Sequence, residues 1–106
     1  MKKITLCTLY EKHYHFGVAA LANSLLASGF DGDLWVGYRG PLPDWVTGSR
    51  DYDAATGELR LGGQLTLHFL KQETSVFFTY YKAAFMRDVL DKHARDAEVI
   101  AYIDPD

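Results

Sequence analysis

The residues best suited to chemistry are two aspartates at the end of the sequence, Asp104 and Asp106, which are separated by Pro105. They follow an apolar run that is typical of a buried strand. Two carboxylates at one strand end repel each other unless a cation lies between them. A hard divalent ion such as Mg²⁺ or Mn²⁺ that also holds a diphosphate would meet this requirement. The alternative is that these residues only form the turn that ends a strand.

Pro105 restricts the backbone on both sides, whichever interpretation holds. Pro105 fixes its own φ and biases Asp104 towards an extended conformation, so the two carboxylates would be presented rigidly. In open α/β sheets, ligands bind in the crevice outside the carboxyl ends of the strands. The sequence therefore predicts a cation and diphosphate site at the end of this last strand.

The elements that must position this site begin with a strand, a helix and a second strand. We predict a strand over Ile4–Leu9, a polar loop over Tyr10–His15, a largely apolar helix over Phe16–Ser28 and a strand over Leu34–Tyr38. This order and size are those of a crossover unit that joins two parallel strands. The apolar surface of the helix indicates that it packs against the sheet.

The second half of the chain continues the alternation of strands and helices. The predicted elements are a loop over Asp44–Gly57 with a short helical turn at Trp45, a hairpin of Glu58–Leu61 and Gln64–Phe69 around Gly62-Gly63, a helix over Thr79–His93 and a strand over Glu98–Ile103. The glycine pair favours a tight hairpin turn, and Tyr81, Phe85 and Val89 recur with helical spacing. The overall pattern predicts an α/β fold.

Composition limits the classes of function. The 106 residues suit one domain, residues 1–106, and 48% hydrophobic content is enough for a core. The net charge of −3, with scattered Lys and Arg, argues against nucleic acid as a partner. The single cysteine, Cys7, favours a reducing compartment. The first apolar run is too short for an export signal or a membrane span, so we expect a cytoplasmic protein.

Three segments resemble the glycosyltransferases with the A-type fold, in particular the family of lipopolysaccharide galactosyl- and glucosyltransferases and glycogenin. They are Ile4–Leu9 with the following Glu11-Lys12-His13-Tyr14 and Asn23-Ser24-Leu25, then Thr79-Tyr80-Tyr81-Lys82, and finally Val99 to Asp106, which is similar to the family's Leu-Tyr-Leu-Asp-x-Asp strand. The chain departs from the family at Lys82, where an arginine is usual, and a lysine offers a point charge rather than a planar fork.

The resemblance implies a fold, a ligand and a set of binding residues. It implies a three-layer α/β/α fold with a mostly parallel, Rossmann-like sheet, ending after the Asp-x-Asp strand. It also implies a donor that is a nucleotide diphosphate sugar, preferably linked to UDP, and a Mn²⁺ or Mg²⁺ cofactor. The implied nucleotide-binding residues are Thr8, Tyr10, Glu11, Tyr14, Lys82 and Asp104, and the implied metal ligands are Asp104 and Asp106.

Each of these assignments has a structural alternative. Tyr14 would serve equally well as a core aromatic, and Glu11 and Lys82 as solvated side chains. The aromatic run Phe77 to Tyr81 is expected to pack in the core where strand and helix meet. The four histidines show no spacing typical of metal ligands, so we expect none of them to bind a metal.

In the resembling families, the acceptor site, a further metal-binding histidine and most groups that act on the anomeric carbon follow the Asp-x-Asp strand. We therefore expect this polypeptide to be inactive in sugar transfer by itself, and its acceptor is not indicated by the sequence.

Two other functions remain open. The chain could be a non-catalytic interaction module whose exposed aromatics, such as Trp45, Phe78 and Tyr80, contact a protein, and the open edge of its sheet would favour self-association. It could also be a nucleotidyltransferase that uses the same acidic pair. That enzyme class would need a glycine-rich phosphate loop after the first strand, which this sequence lacks.

Overall fold

The chain is an α/β protein built on one mixed sheet, and its structure, a computed structural model, describes residues 3–105. Within these residues the sheet has six strands in the order β3-β4-β5-β2-β1-β6. The sequence-based expectation of an α/β fold is confirmed at this level.

The strand β1 (Ile4–Glu11) lies inside the sheet, with β2 on one side and β6 on the other. Its residues from Thr5 to Tyr10 are all buried, as expected for a parallel strand that is covered on both faces. The strand runs two residues beyond the predicted end at Leu9. The prediction of a loop from Tyr10 was therefore wrong, because Tyr10 and Glu11 continue the ladder with the neighbouring strand.

The predicted crossover unit is confirmed. A 3-10 turn over Lys12–Tyr14 leads into α1 (His15–Ala27), and β2 (Gly32–Arg39) then pairs parallel to β1. In this register Glu11 at the end of β1 is the partner of Arg39 at the end of β2. The helix is less deeply buried than its composition indicated, since only Val18 and Ala22 are fully buried.

The middle of the chain makes the sheet mixed. A short helix α2 (Asp44–Thr47) precedes β3 (Tyr52–Asp53), β4 (Glu58–Leu61) and β5 (Leu65–Lys71). Both β3–β4 and β4–β5 pair antiparallel, and β5 then lies parallel to β2. The predicted hairpin is confirmed, with Gly62 and Gly63 at positive φ in its turn. Among residues 3–105, parallel pairing is limited to β5, β2, β1 and β6.

The late helix is interrupted near its end. α3 (Phe78–Asp88) continues into a π-helical turn over Val89–His93, and β6 (Val99–Tyr102) follows. The turn places the ring of His93 against Trp35 of β2, with 5.1 Å between ring centroids. Burial lowers the pKa of His93 from its usual value.

Two hydrophobic clusters cover opposite faces of the sheet. One joins Leu6 of β1 to Val18 of α1. The other joins Cys7 of β1 to Phe85 of α3 and to Val89 of the π-helical turn. Successive residues of a strand point to opposite faces, so the two helices α1 and α3 pack on different sides of β1. Across residues 3–105, every helix is too short or too polar to span a bilayer.

Candidate functional site

A cleft of about 310 Å³ lies at the carboxyl ends of β1 and β6. The chain runs from β1 to β2 on one side of β1 and returns much later to β6 on its other side. The cleft therefore lies where the strand order reverses, which is where open α/β sheets bind their ligands. Its lining residues come from the end of β1, the 3-10 turn, the first part of α3 with the residue before it, and the end of β6 with the segment that follows: Leu9, Tyr10, Glu11, Tyr14, Phe77, Phe78, Thr79, Lys82, Tyr102, Asp104 and Pro105.

One wall of the cleft is fixed by an ion pair between Glu11 and Arg39. The guanidinium Nη2 donates to Glu11 Oε2 at 2.8 Å. The Glu11 side chain is 30% exposed and the Arg39 side chain is 19% exposed. Because the residues are register partners on adjacent parallel strands, the backbone already holds them together. The pair orients the Glu11 carboxylate at the edge of the cleft.

The same guanidinium also holds the segment that leads into α3. Its Nη1 donates to the backbone carbonyls of Thr74 at 2.8 Å and Val76 at 2.7 Å. The guanidinium carbon lies 3.9 Å from the centroid of the Phe78 ring, a cation–π contact. A planar group with five donors suits this combination of a carboxylate, two carbonyls and a ring face. Arg39 thus connects β1, the segment before α3 and the first turn of α3.

The opposite wall contains an ion pair between Lys82 of α3 and Asp104. The ammonium Nζ lies 2.9 Å from Asp104 Oδ1, and the Asp104 side chain is 58% exposed. The ammonium also lies 4.8 Å from the centroid of the Tyr102 ring. The Tyr102 hydroxyl in turn accepts a hydrogen bond from the backbone N–H of Leu9 at 3.3 Å, and burial raises the pKa of that phenol. The ring thus forms a fixed support beneath the ammonium.

Aromatic side chains stand at the mouth of the cleft. The Tyr14 ring stacks on His13 at 4.5 Å between centroids and is 43% exposed. Phe77 also lines the cleft and is 74% exposed, whereas Tyr80, which does not line it, is 80% exposed. The prediction that this aromatic run packs in the core was right only for Phe78 and Tyr81, which contact the cluster around Phe85. Flat, exposed rings of this kind can stack against a base or a sugar face.

Residues 103–105 pass close to the start of α1. A Cβ atom added to Gly17 would overlap the carbonyl group of Pro105. The backbone of Ile103 is fixed from the other side, because its N–H donates to the Cys7 carbonyl at 3.0 Å. Glycine at position 17 therefore lets this segment lie against the helix and places Asp104 beside Lys82.

The structure brings together five of the six predicted nucleotide-binding residues: Tyr10, Glu11, Tyr14, Lys82 and Asp104. Thr8 is not one of the lining residues, because it lies buried within β1 in register with Val36 of β2. Tyr10 reaches the cleft from a largely buried position, and burial raises the pKa of its phenol. Of the two predicted metal ligands, Asp104 lines the cleft, whereas Asp106 lies outside the described residues.

Sequence reasoning missed Arg39, Phe78 and Tyr102 as parts of the site. Arg39 ends β2, and its role depends on the register that places it beside Glu11. Tyr102 and Phe78 each lie in a segment that was already singled out, although neither was assigned to the site. A search for cations at the ends of the other parallel strands would have found Arg39.

The Asp104 carboxylate in the cleft is paired with an ammonium group, which bears on the metal site expected from the sequence. Asp104 is exposed, and its carboxylate lies 2.9 Å from the Lys82 ammonium. The carboxylate is therefore accessible to a cation. Among residues 3–105, no group of three or more His, Cys, Asp or Glu side chains could hold a metal ion by itself. Mg²⁺ and Mn²⁺ are often bound by one or two carboxylates together with substrate phosphates, and this arrangement fits Asp104.

Comparisons with known proteins gave no relative on which to base an assignment. No family model matches the chain, and no curated protein or solved structure is significantly similar to it.

Proposed function

We propose that this chain is the donor-binding part of a metal-dependent glycosyltransferase and that it binds a nucleotide diphosphate sugar, preferably a UDP-sugar. The proposal includes a Rossmann-like, three-layer fold of the nucleotide-diphospho-sugar transferase type and a cytoplasmic location. The four parallel-paired strands and the helices on both faces of β1 support this fold type. The free, buried thiol of Cys7 supports the cytoplasmic location.

The observation that carries the proposal is the pairing of a cation with an exposed carboxylate in a cleft at the strand ends. Lys82 offers an ammonium to a phosphate, and Asp104 offers a carboxylate to a divalent cation. A diphosphate bound to Mn²⁺ or Mg²⁺ needs both kinds of group. Asp106, two residues after Asp104 in the sequence, would complete the Asp-x-Asp pair. When bound, the metal would neutralise the charge that develops on the leaving nucleoside diphosphate.

The other side of the cleft suits the nucleoside. Tyr14 presents an exposed ring for stacking with the base. Glu11 is held by Arg39 through Oε2 and lines the cleft, so its carboxylate would accept a hydrogen bond from the base or ribose. Tyr10 contributes the backbone at the end of β1. The chain's own residues would therefore bind and orient the donor.

Calorimetric titration with UDP, in the presence and absence of Mn²⁺, tests the proposal. We expect binding that is stronger with Mn²⁺, and we expect Asp106→Ala to abolish the metal-dependent part. Asp51→Ala is a matched control, because Asp51 is an exposed acid that does not line the cleft. Binding that is unchanged in Asp106→Ala would contradict the assignment of the acidic pair.

A second candidate function is a protein-interaction module that self-associates, and the exposed apolar side chains favour it. Phe16 and Phe77 are 67% and 74% exposed, and Val76 is 45% exposed, and clusters of such residues often mark contact surfaces. Sedimentation analysis of Phe77→Ser distinguishes the two functions. Self-association that is lost in Phe77→Ser but persists in Asp106→Ala, without UDP binding, would favour the interaction module.

A further inference from the structure

We infer that the Lys82–Asp104 ion pair is an exchangeable contact that makes the cation and the diphosphate bind cooperatively. The inference rests on the proposed function, since it assigns the diphosphate to Lys82 and the cation to Asp104. It adds that, without ligands, the Lys82 ammonium occupies the position of the cation at Asp104, and the Asp104 carboxylate occupies the position of the phosphate at Lys82. The donor site is then opened fully only when both ligands are present.

The geometry supports exchange because this pair is more exposed than the pair across the cleft. Arg39 is 19% exposed and bound to a carboxylate, two carbonyls and a ring. By contrast, the Asp104 carboxylate is 58% exposed and the Lys82 side chain is 35% exposed. Exposed ion pairs contribute little net stability, so Asp104 and Lys82 can separate without loss of the surrounding fold.

The surroundings of Lys82 favour movement within the cleft. Its ammonium lies over the face of Tyr102 at 4.8 Å, and the Tyr102 hydroxyl is anchored by the N–H of Leu9. Attraction to a ring face depends only weakly on direction. The ammonium can therefore move from Asp104 to a phosphate while it keeps its contact with the ring.

Electrostatics then couples the two ligands. A divalent cation that binds Asp104 alone meets the positive charge of Lys82 a few ångströms away, and a diphosphate that binds Lys82 alone meets the negative charge of Asp104. Each ligand by itself therefore breaks a favourable pair and gains a repulsive neighbour. Bound together, the cation and the diphosphate neutralise each other and satisfy both side chains, so each strengthens the binding of the other.

This exchange predicts effects of opposite sign in two isosteric variants. Lys82→Gln should bind Mn²⁺ alone more tightly than the wild type, by about threefold, because a neighbouring cation is removed. The same variant should bind UDP more weakly. Asp104→Asn should bind metal-free UDP more tightly, by a similar factor, and should bind Mn²⁺ more weakly.

The test measures Mn²⁺ alone by electron paramagnetic resonance, and UDP by calorimetry in buffer freed of metal and again with Mn²⁺. The exposed pair Lys92–Asp88 of the same helical segment, at 3.7 Å, supplies matched controls. Lys92→Gln and Asp88→Asn should leave all three affinities unchanged. Circular dichroism of each variant verifies that it is folded.

The outcomes separate this inference from the proposed function. Tighter Mn²⁺ binding in Lys82→Gln together with tighter metal-free UDP binding in Asp104→Asn supports the exchange. If the wild type binds UDP in a Mn²⁺-dependent way and both variants bind both ligands more weakly, the exchange is wrong and the proposed function stands. If the wild type binds neither UDP nor Mn²⁺, both are wrong.

Discussion

Arg39 is the residue whose loss should most disturb the cleft, and Arg39→Met measures its contribution. Methionine has an unbranched, apolar side chain similar in length to the aliphatic part of arginine, and it lacks the guanidinium. The substitution deletes the hydrogen bonds to the carbonyls of Thr74 and Val76 and to the Glu11 carboxylate. It also leaves Glu11, which is 30% exposed, without this cation.

The magnitude follows from the burial of these groups. Hydrogen bonds to charged groups contribute about 1.5–3 kcal/mol each when well shielded from water, and loss of one partner of a buried pair costs about 3–5 kcal/mol. Both side chains here are partly exposed, so the sum must be reduced. We expect Arg39→Met to lower the free energy of unfolding by about 2–4 kcal/mol. Domains of this kind have about 5–15 kcal/mol of stability, so the variant should still fold.

Urea denaturation, followed by circular dichroism, measures the change. Arg60→Met is the matched control, because Arg60 is 74% exposed and its contact with Glu58 is 3.5 Å long. We expect that control to change stability by less than about 0.5 kcal/mol. Arg39→Lys should lie between Arg39→Met and the wild type, because an ammonium lacks the planar fork. Equal losses in Arg39→Met and Arg60→Met would refute the connecting role of Arg39.

Three further predictions concern the rest of the fold. Burial raises the pKa of the Cys7 thiol to about 12, so a disulfide reagent should label it only in denaturant, and rapid labelling of the native protein would contradict the buried position. Gly17→Ala should lower the urea midpoint because the added methyl group would overlap Pro105, although alanine forms helix better than glycine by up to about 1 kcal/mol. The control Asn23→Ala, at an exposed position of the same helix, should not lower the midpoint. Equal effects of the two substitutions would disprove the close contact. Burial also raises the pKa values of Tyr10, Tyr38 and Tyr102 above 10.0. The native state therefore keeps these protons to higher pH than the unfolded state, and stability should fall as pH rises above about 10. Urea midpoints measured alongside tyrosinate absorbance check this, and a constant midpoint to about pH 12 would refute it.

The elements of the fold were predictable where the periodicity of the sequence was strong. The apolar run after Lys3 gave β1, the glycine pair gave the β4–β5 hairpin, and the spacing of Tyr81 and Phe85 gave α3. Short strands such as β3 were not predicted, because two residues carry no period. The π-helical turn was also missed, since its residues Val89–His93 have ordinary helical spacing in the sequence.

The grouping of the candidate site was expected from the resemblance rather than from single residues. The resemblance implied that Glu11 and Asp104 bind one nucleotide, and both line the cleft at the carboxyl ends of the parallel strands. The pairing of Glu11 with Arg39 required the register between β1 and β2, which the sequence pattern did not give. Phe77, directly before α3, and Tyr80 are exposed, whereas Phe78 and Tyr81 pack against the cluster around Phe85. Helical spacing could have separated these two pairs.

A crystal structure grown with UDP and Mn²⁺ tests the central claim most directly. We predict an anomalous manganese peak at about 2.2 Å from a carboxylate oxygen of Asp104, with the diphosphate on the same ion and the Lys82 ammonium on a phosphate oxygen. UDP bound without a metal beside Asp104, or a manganese peak only at another surface of the molecule, would contradict the proposed donor site.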